Sequence, residues 1–248
     1  MQTEALLALR DRPDRSPAMF HTWRHLSFLH WEADAAEMQA LLPDGLTVET
    51  YEGKAYVGLV LFTMNGIRFA WLPEIPGANA FHETNVRTYV TDESGSPGVW
   101  FFSLDAANLF AVRFARWWFG LTYTLAKMSI DDDGHGLAYE SERLRPPPGG
   151  AKCQVRMGEF GDVFEASPGT LEFWIFERYL LFAKKGDKLM TGRVWHKPYP
   201  IQTAECLECD ESLTAALGIT KSGPPDLVHY CKGVDVEVFA PQQIEFEP

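Results

Sequence analysis

A chain of 248 residues that is 46% hydrophobic and 13% aromatic carries enough apolar material for one large domain or two small ones. Its net charge of −12, with Lys and Arg scattered along the chain, argues against nucleic acid as a partner, because an acidic surface repels phosphate backbones. The most apolar window, 108–125, still contains Arg113 and Arg116, so no membrane span is expected, and residues 1–17 lack the pattern of an export signal.

Residues 1–19 read as an N-terminal extension, peripheral or poorly ordered, ahead of a single domain over 20–248. Thr22–His30 reads as the first strand. Asp34 with Glu37 three residues on forms a capping box, so a short helix starts there and ends before Pro43. Leu46–Thr50 and Ala55–Asn65 follow as strands around a turn-like Tyr51–Lys54. Leu72–Phe81, with two prolines and a glycine, reads as a loop. Glu83–Thr91 and Val99–Asp105 form a hairpin, and Asn108–Phe119 has apolar residues at helical spacing. Leu121–Ile130 and Leu137–Arg143 are further strands separated by an Asp-rich turn. Gly149–Met157 is the next element, then a helix at Thr170–Arg178 and a hairpin over Tyr179–His196. A strand near Ile201–Cys206, a short helix at Glu211–Leu217 and strands at Leu227–Lys232 and Asp235–Phe239 complete the chain. Mostly antiparallel strands with a few helices define an α+β fold.

The chemistry concentrates on strand faces. Side chains alternate along a strand, so Glu83, Asn85, Arg87 and Tyr89 share one side, and Thr84, Val86, Thr88 and Val90 the other. Glu83 and Arg87 lie roughly 13 Å apart along an extended strand, too far to pair directly. The polar column suits either a solvent-exposed face or a lined cavity, and the surrounding aromatic residues favour the cavity. Tyr139, Ser141 and Arg143 form a second column. Tyr123 and Lys127 share a face with Leu121 and Leu125. A lysine among apolar neighbours is a candidate Schiff-base nucleophile; at a strand end it equally reaches out to water. Ser103 and Arg116 complete the candidate ligand-binding set, Arg116 lying one helical turn from Arg113.

Cys206 and Cys209, with His229 and Cys231, have the residue types of a zinc site, but the second pair is spaced for a strand face and no metal is expected. With Cys153, these cysteines read as reduced thiols, and the cytoplasm is the expected compartment. Neither a phosphate-binding glycine loop nor a nucleophile elbow is present, so no cofactor and no hydrolase triad are expected.

Several segments act together as a signature. His30-Trp31, Leu42-Pro43-Asp44-Gly45-Leu46, Glu83–Val90, Gly98–Ala106, Ala115-Arg116 and Tyr139-x-Ser141-x-Arg143 precede Glu177-Arg178-Tyr179, His196–Gln202 and His229-Tyr230. In this order and spacing the chain resembles the YqjF-like family of uncharacterised bacterial proteins, from about Phe20 to Phe239. That family is similar in fold to acetoacetate decarboxylase. The resemblance implies a closed, cone-like antiparallel β structure with flanking helices and a central cavity into which the polar strand faces point. The decarboxylase uses a lysine pair after a Gly-x-Pro element. Here the comparable stretch is Gly120–Thr124, with Tyr123 and Thr124 in the lysine positions, so imine chemistry lacks its amine unless Lys127 reaches in. Glu83 best matches a carboxylate retained from the parent site.

Three readings follow. The first is a binder of a small carboxylate- or carbonyl-bearing molecule, with Glu83 and a tyrosine available for acid–base chemistry. The second is a non-catalytic protein whose polar groups satisfy one another. The third is a Schiff-base enzyme using Lys127. A small anionic molecule is the expected partner, with no nucleic acid or membrane, and a homo-oligomer is compatible with all three.

Overall fold

A computed structural model describes residues 2–74, 80–118, 120–145 and 150–244. In chain order a helix α1 (Gln2–Ala8) leads into β1 (Met19–Ala33), α2 (Ala35–Ala40), β2 (Leu46–Val48), β3 (Ala55–Phe69), β4 (Phe81–Asp92) and β5 (Pro97–Ala106). Next come α3 (Leu109–Trp118), β6 (Tyr123–Asp132), β7 (Gly136–Arg145), β8 (Lys152–Gly158) and α4 (Leu171–Phe176). β9 (Leu180–Lys185), β10 (Lys188–Trp195), β11 (Ile201–Thr203), β12 (Glu205–Glu211) and β13 (Leu227–Gln243) follow.

Seven strands close into a barrel in the order β4–β5–β9–β10–β13–β1–β3, because β4 pairs with both β3 and β5. The barrel is mixed: β5 runs parallel to β9, and the other pairings around the ring are antiparallel. From the same β5, a parallel contact to β6 launches an arm, β6–β7–β8–β12, outside the ring. The arm lies against the outer face of β1, β3 and β4. Leu29, Leu59 and Val86 there pack with Tyr139, Val155 and Met157. These three strands are therefore covered on both sides, which is why the first half of β3 is buried at consecutive positions. Inside the ring a separate core gathers Phe28, Val60, Phe101, Val236 and the α4 residues Phe173–Phe176.

The local signals mostly act as expected. Asp34 caps α2 by accepting from the Glu37 backbone N–H, and Thr170 caps α4 by accepting from that of Phe173. Three expectations are corrected. The N-terminal extension is docked: α1 buries Leu6, Arg193 donates to the carbonyls of Leu9 and Asp11, and Trp195 donates to that of Arg10 at 3.1 Å. The two final strands are one strand, β13, which runs through Gly233 because β1 crosses so closely there that a Cβ would collide with the Trp23 carbonyl. Where a strand at 201–206 and a helix at 211–217 were expected, the short β11 is followed by a second strand, β12, on the outer side of β8, and the helix is only a 3₁₀ turn at Ala215–Leu217. Of the loop expected over 72–81, residues 75–79 lie outside the described residues, and Phe81 belongs to β4.

Candidate functional site

The barrel encloses a cavity of about 320 Å³, within the range of small-molecule sites. Strand register orders its wall by depth. β4 places Arg87, Asn85, Glu83 and Phe81 against Gly58, Val60, Phe62 and Met64 of β3. β1 then sets Phe28 beside Val60, Trp23 beside Met64 and Met19 beside Phe69. Arg87 thus stands at one end and Glu83 midway. The opposite end is made by Met19, Met64, Phe69 and the α3 face of Ala111, Phe114 and Ala115. Phe110 lines that end and is 75% exposed, so the cavity meets solvent beneath α3.

Glu83 is 3% exposed. Burial pushes its carboxyl up to about 7, against the opposing hydrogen bonds from Tyr123 and Asn85 and with a further upward contribution from Asp105. Tyr123 donates its hydroxyl proton to Glu83 Oε2 at 2.6 Å, and its own pKa is driven well above the usual phenol value by burial and the neighbouring carboxyl. The pair is a carboxyl near half-ionised at neutral pH with a phenol that remains a donor. The arm holds this strand from behind, since Tyr139 donates to the Glu83 carbonyl oxygen at 3.0 Å.

At the far end Arg87 stacks over Phe28 and Tyr89 and lies 3.5 Å from the Tyr89 hydroxyl, which also meets His30 Nε2 at 2.7 Å. Arg178 lies beside it, buried, bound to Glu49 and to the Trp174 carbonyl. Desolvation lowers the Arg178 pKa while Glu49 opposes that shift. Several polar atoms on the cavity wall are buried without a hydrogen-bond partner among the described residues: His21 Nδ1 and Nε2, Trp23 Nε1, Asn85 Oδ1, Arg87 Nε and Arg178 Nη2. Burial also holds His21 down at about 4, so its ring is neutral.

Of the residues singled out from sequence, Glu83, Asn85, Arg87 and Tyr123 line this cavity. Tyr89 lies just beyond it, buried among Arg87, Arg178 and Trp174. The others lie elsewhere. Lys127 is exposed on β6 opposite Glu142, because β6 leaves the barrel after Tyr123 and carries its later residues into the arm. Arg116 turns its Nε to the Tyr123 carbonyl at 2.6 Å. Tyr139 and Arg143 face the layer between arm and barrel, where Arg143 pairs with the buried Asp105. Ser103 is displaced by a bulge opposite Val86 and Arg87, which lets Phe101 and Leu104 face inward.

His21, Trp23, Arg68 and Arg178 were missed. Alternation along Met19–Trp23 would have exposed the first two had the strand been started three residues earlier. Arg178 had no local signal, since it reaches the cavity through the end of α4. The cysteine and histidine candidates do not assemble: Cys231 belongs to the barrel core, Cys206 and Cys209 to the arm, and no metal-binding cluster occurs among the described residues.

The closed mixed barrel with its added strands has the fold of acetoacetate decarboxylase-like proteins. The enzyme of that name from Legionella pneumophila superposes with a TM-score of 0.63 over 93% of this chain and 88% of its own, at 15% identity. The enduracididine biosynthesis enzyme MppR, complexed with pyruvate, gives 0.59 over 95% and 93%, at 11% identity. At such identities the likeness establishes the fold alone. The chain belongs to the DUF2071 family of uncharacterised conserved proteins, whose profile matches residues 21–235. It is 37% identical over 224 residues to the uncharacterised protein YqjF of Bacillus subtilis (strain 168), covering 90% of this chain and 91% of that one.

Proposed function

We propose that the protein binds a small oxo acid in the barrel cavity, Arg87 taking the carboxylate and Glu83 with Tyr123 acting on the carbonyl end. The observation that carries this reading is a protonatable carboxyl and a guanidinium, Glu83 and Arg87, set apart along one inward strand face of the cavity wall.

Ionised Glu83 is placed to accept a proton from the carbon next to the carbonyl, and as it does so Tyr123 turns its single hydroxyl proton from Glu83 to the oxygen on which charge develops. An imine route is disfavoured, because no lysine is found among the described wall residues and Lys127 faces solvent. The pyruvate held by MppR is a fold neighbour's ligand of the same class.

The test is titration calorimetry with pyruvate and 2-oxohexanoate. Arg87→Ala should weaken both by roughly tenfold to a hundredfold, the range for a hydrogen-bonded charge. Glu83→Gln should retain binding yet abolish proton–deuterium exchange at C3 of the acid, followed by NMR. Unchanged affinity in Arg87→Ala removes the anion assignment.

A further inference from the structure

We infer that the ligand is amphipathic: an oxo acid with an apolar tail of medium length, inserted head first with the tail running to the α3 mouth. This rests on the reading above and adds the substrate class. The register carries it, because Arg87, Asn85 and Glu83 are grouped at one end and in the middle of the barrel, whereas the other end is lined mostly by apolar side chains. Arg87, Asn85 and Glu83 occupy the deep and middle levels, opposite Gly58, Val60 and Phe62. Beyond Glu83 the wall is mostly apolar, from Met64 and Phe81 to Met19 and Phe69, closed over by Ala111, Phe114 and Ala115, with His21 and Arg68 as the polar residues at that end. Those three residues lie on one stripe of α3, at the i, i+3, i+4 spacing of a helix face.

A two-carbon tail would leave this half of the chamber unfilled. Apolar space is not neutral: an apolar cavity of about 150 Å³ stays dry and takes up benzene, and this one is about 320 Å³. At about 30 Å³ per water-sized group the chamber accommodates on the order of ten heavy atoms. That is the size of an eight-carbon 2-oxo acid, whereas pyruvate fills about half. Exposed Phe110 at the lip continues the apolar surface outward, which suits an entering hydrocarbon chain.

The experiment measures Kd for 2-oxo acids from three to ten carbons, below their aggregation limits, on the intact protein. Each added methylene should tighten binding about fourfold until roughly eight carbons, then level off as the tail emerges. Ala115→Trp, on a partly exposed helix face, should weaken 2-oxooctanoate at least tenfold more than it weakens pyruvate. Ala111→Trp serves the same purpose if the first variant folds poorly. An affinity independent of chain length, or a loss in Ala115→Trp that is equal for short and long acids, overturns the tail while leaving the oxo-acid head intact. Octan-2-one binding as tightly as 2-oxooctanoate, with no loss in Arg87→Ala, keeps the apolar chamber and removes the head assignment. Failure of every acid to bind removes both.

Discussion

Glu83 shows how a single side chain is tuned by placement. Its carboxyl would titrate near 4.5 in an unfolded chain and does so at about 7 in the barrel. Between those values unfolding releases the proton that the buried carboxyl holds, so the Glu83 contribution to stability is fullest below pH 4.5 and is lost as pH rises through 7. The shift corresponds to about 3 kcal/mol. Glu83→Gln has no proton to release. Its stability relative to the natural protein should therefore climb by about 3 kcal/mol between pH 4.5 and 7 and then stay level, read from urea unfolding at several pH values. A flat difference across that interval would show that Glu83 titrates normally. Alternation along residues 83–89 was enough to put Glu83, Asn85 and Arg87 on one face. Whether that face looked into a chamber depended on where β3 and β5 lay, which the segment itself does not encode.

At the level of elements, the bulges and the ends were hardest to read. The bulge in β5 changes which residues face inward, so Leu104 lines the wall where strict alternation favoured Ser103. α1 is another case. Seven residues are too few for an isolated helix in water, and the segment is ordered by what it docks on. Leu6 is buried in the barrel core, Gln2 reaches Glu49, and Arg10 approaches Glu177 at 3.5 Å. Leu6→Ala should lower the unfolding free energy by about 2–5 kcal/mol, the range for an aliphatic side chain cut back in a core. Denaturant titration measures it, and a loss under 0.5 kcal/mol would mean that α1 is not part of the cooperative unit. The capped helices α2 and α4 were legible because their signal is local, an Asp or Thr side chain and a backbone N–H three residues on.

For the whole molecule, histidines desolvated in and around the barrel set the response to acid. His21 and His196 are held neutral by burial at about 4, and burial also lowers His30 well below its usual value. A depressed histidine contributes stability that is present above about pH 6.5 and lost as pH falls through the folded value. Glu83, Asp105 and Glu177 act in the opposite direction, three raised carboxyls against five lowered histidines, of which His82 and His229 are the other two. The melting temperature should therefore be lower at pH 4 than at pH 7, by at least about 5 °C for a chain of this size. Calorimetry at the two pH values decides this, and an equal or higher value at pH 4 would contradict the burial of these rings. The absence of charge-free apolar stretches agrees with the structure, in which no helix among the described residues is long and apolar enough to cross a membrane.

The amino-acid order by itself determined the strand-rich composition, the helix caps, the polar column over 83–89 and the family signature, because each depends on spacing within a few residues or on residue identity. Only the tertiary structure decided that Tyr123 meets Glu83, that Lys127 leaves for the arm, and that His21, Trp23 and Arg178 join the wall. Those outcomes follow from barrel closure, which pairs positions as far apart as Met19 and Val238 through register and bulges. Pairing over such separations is selected by the energy of the whole sheet, and no short window contains it.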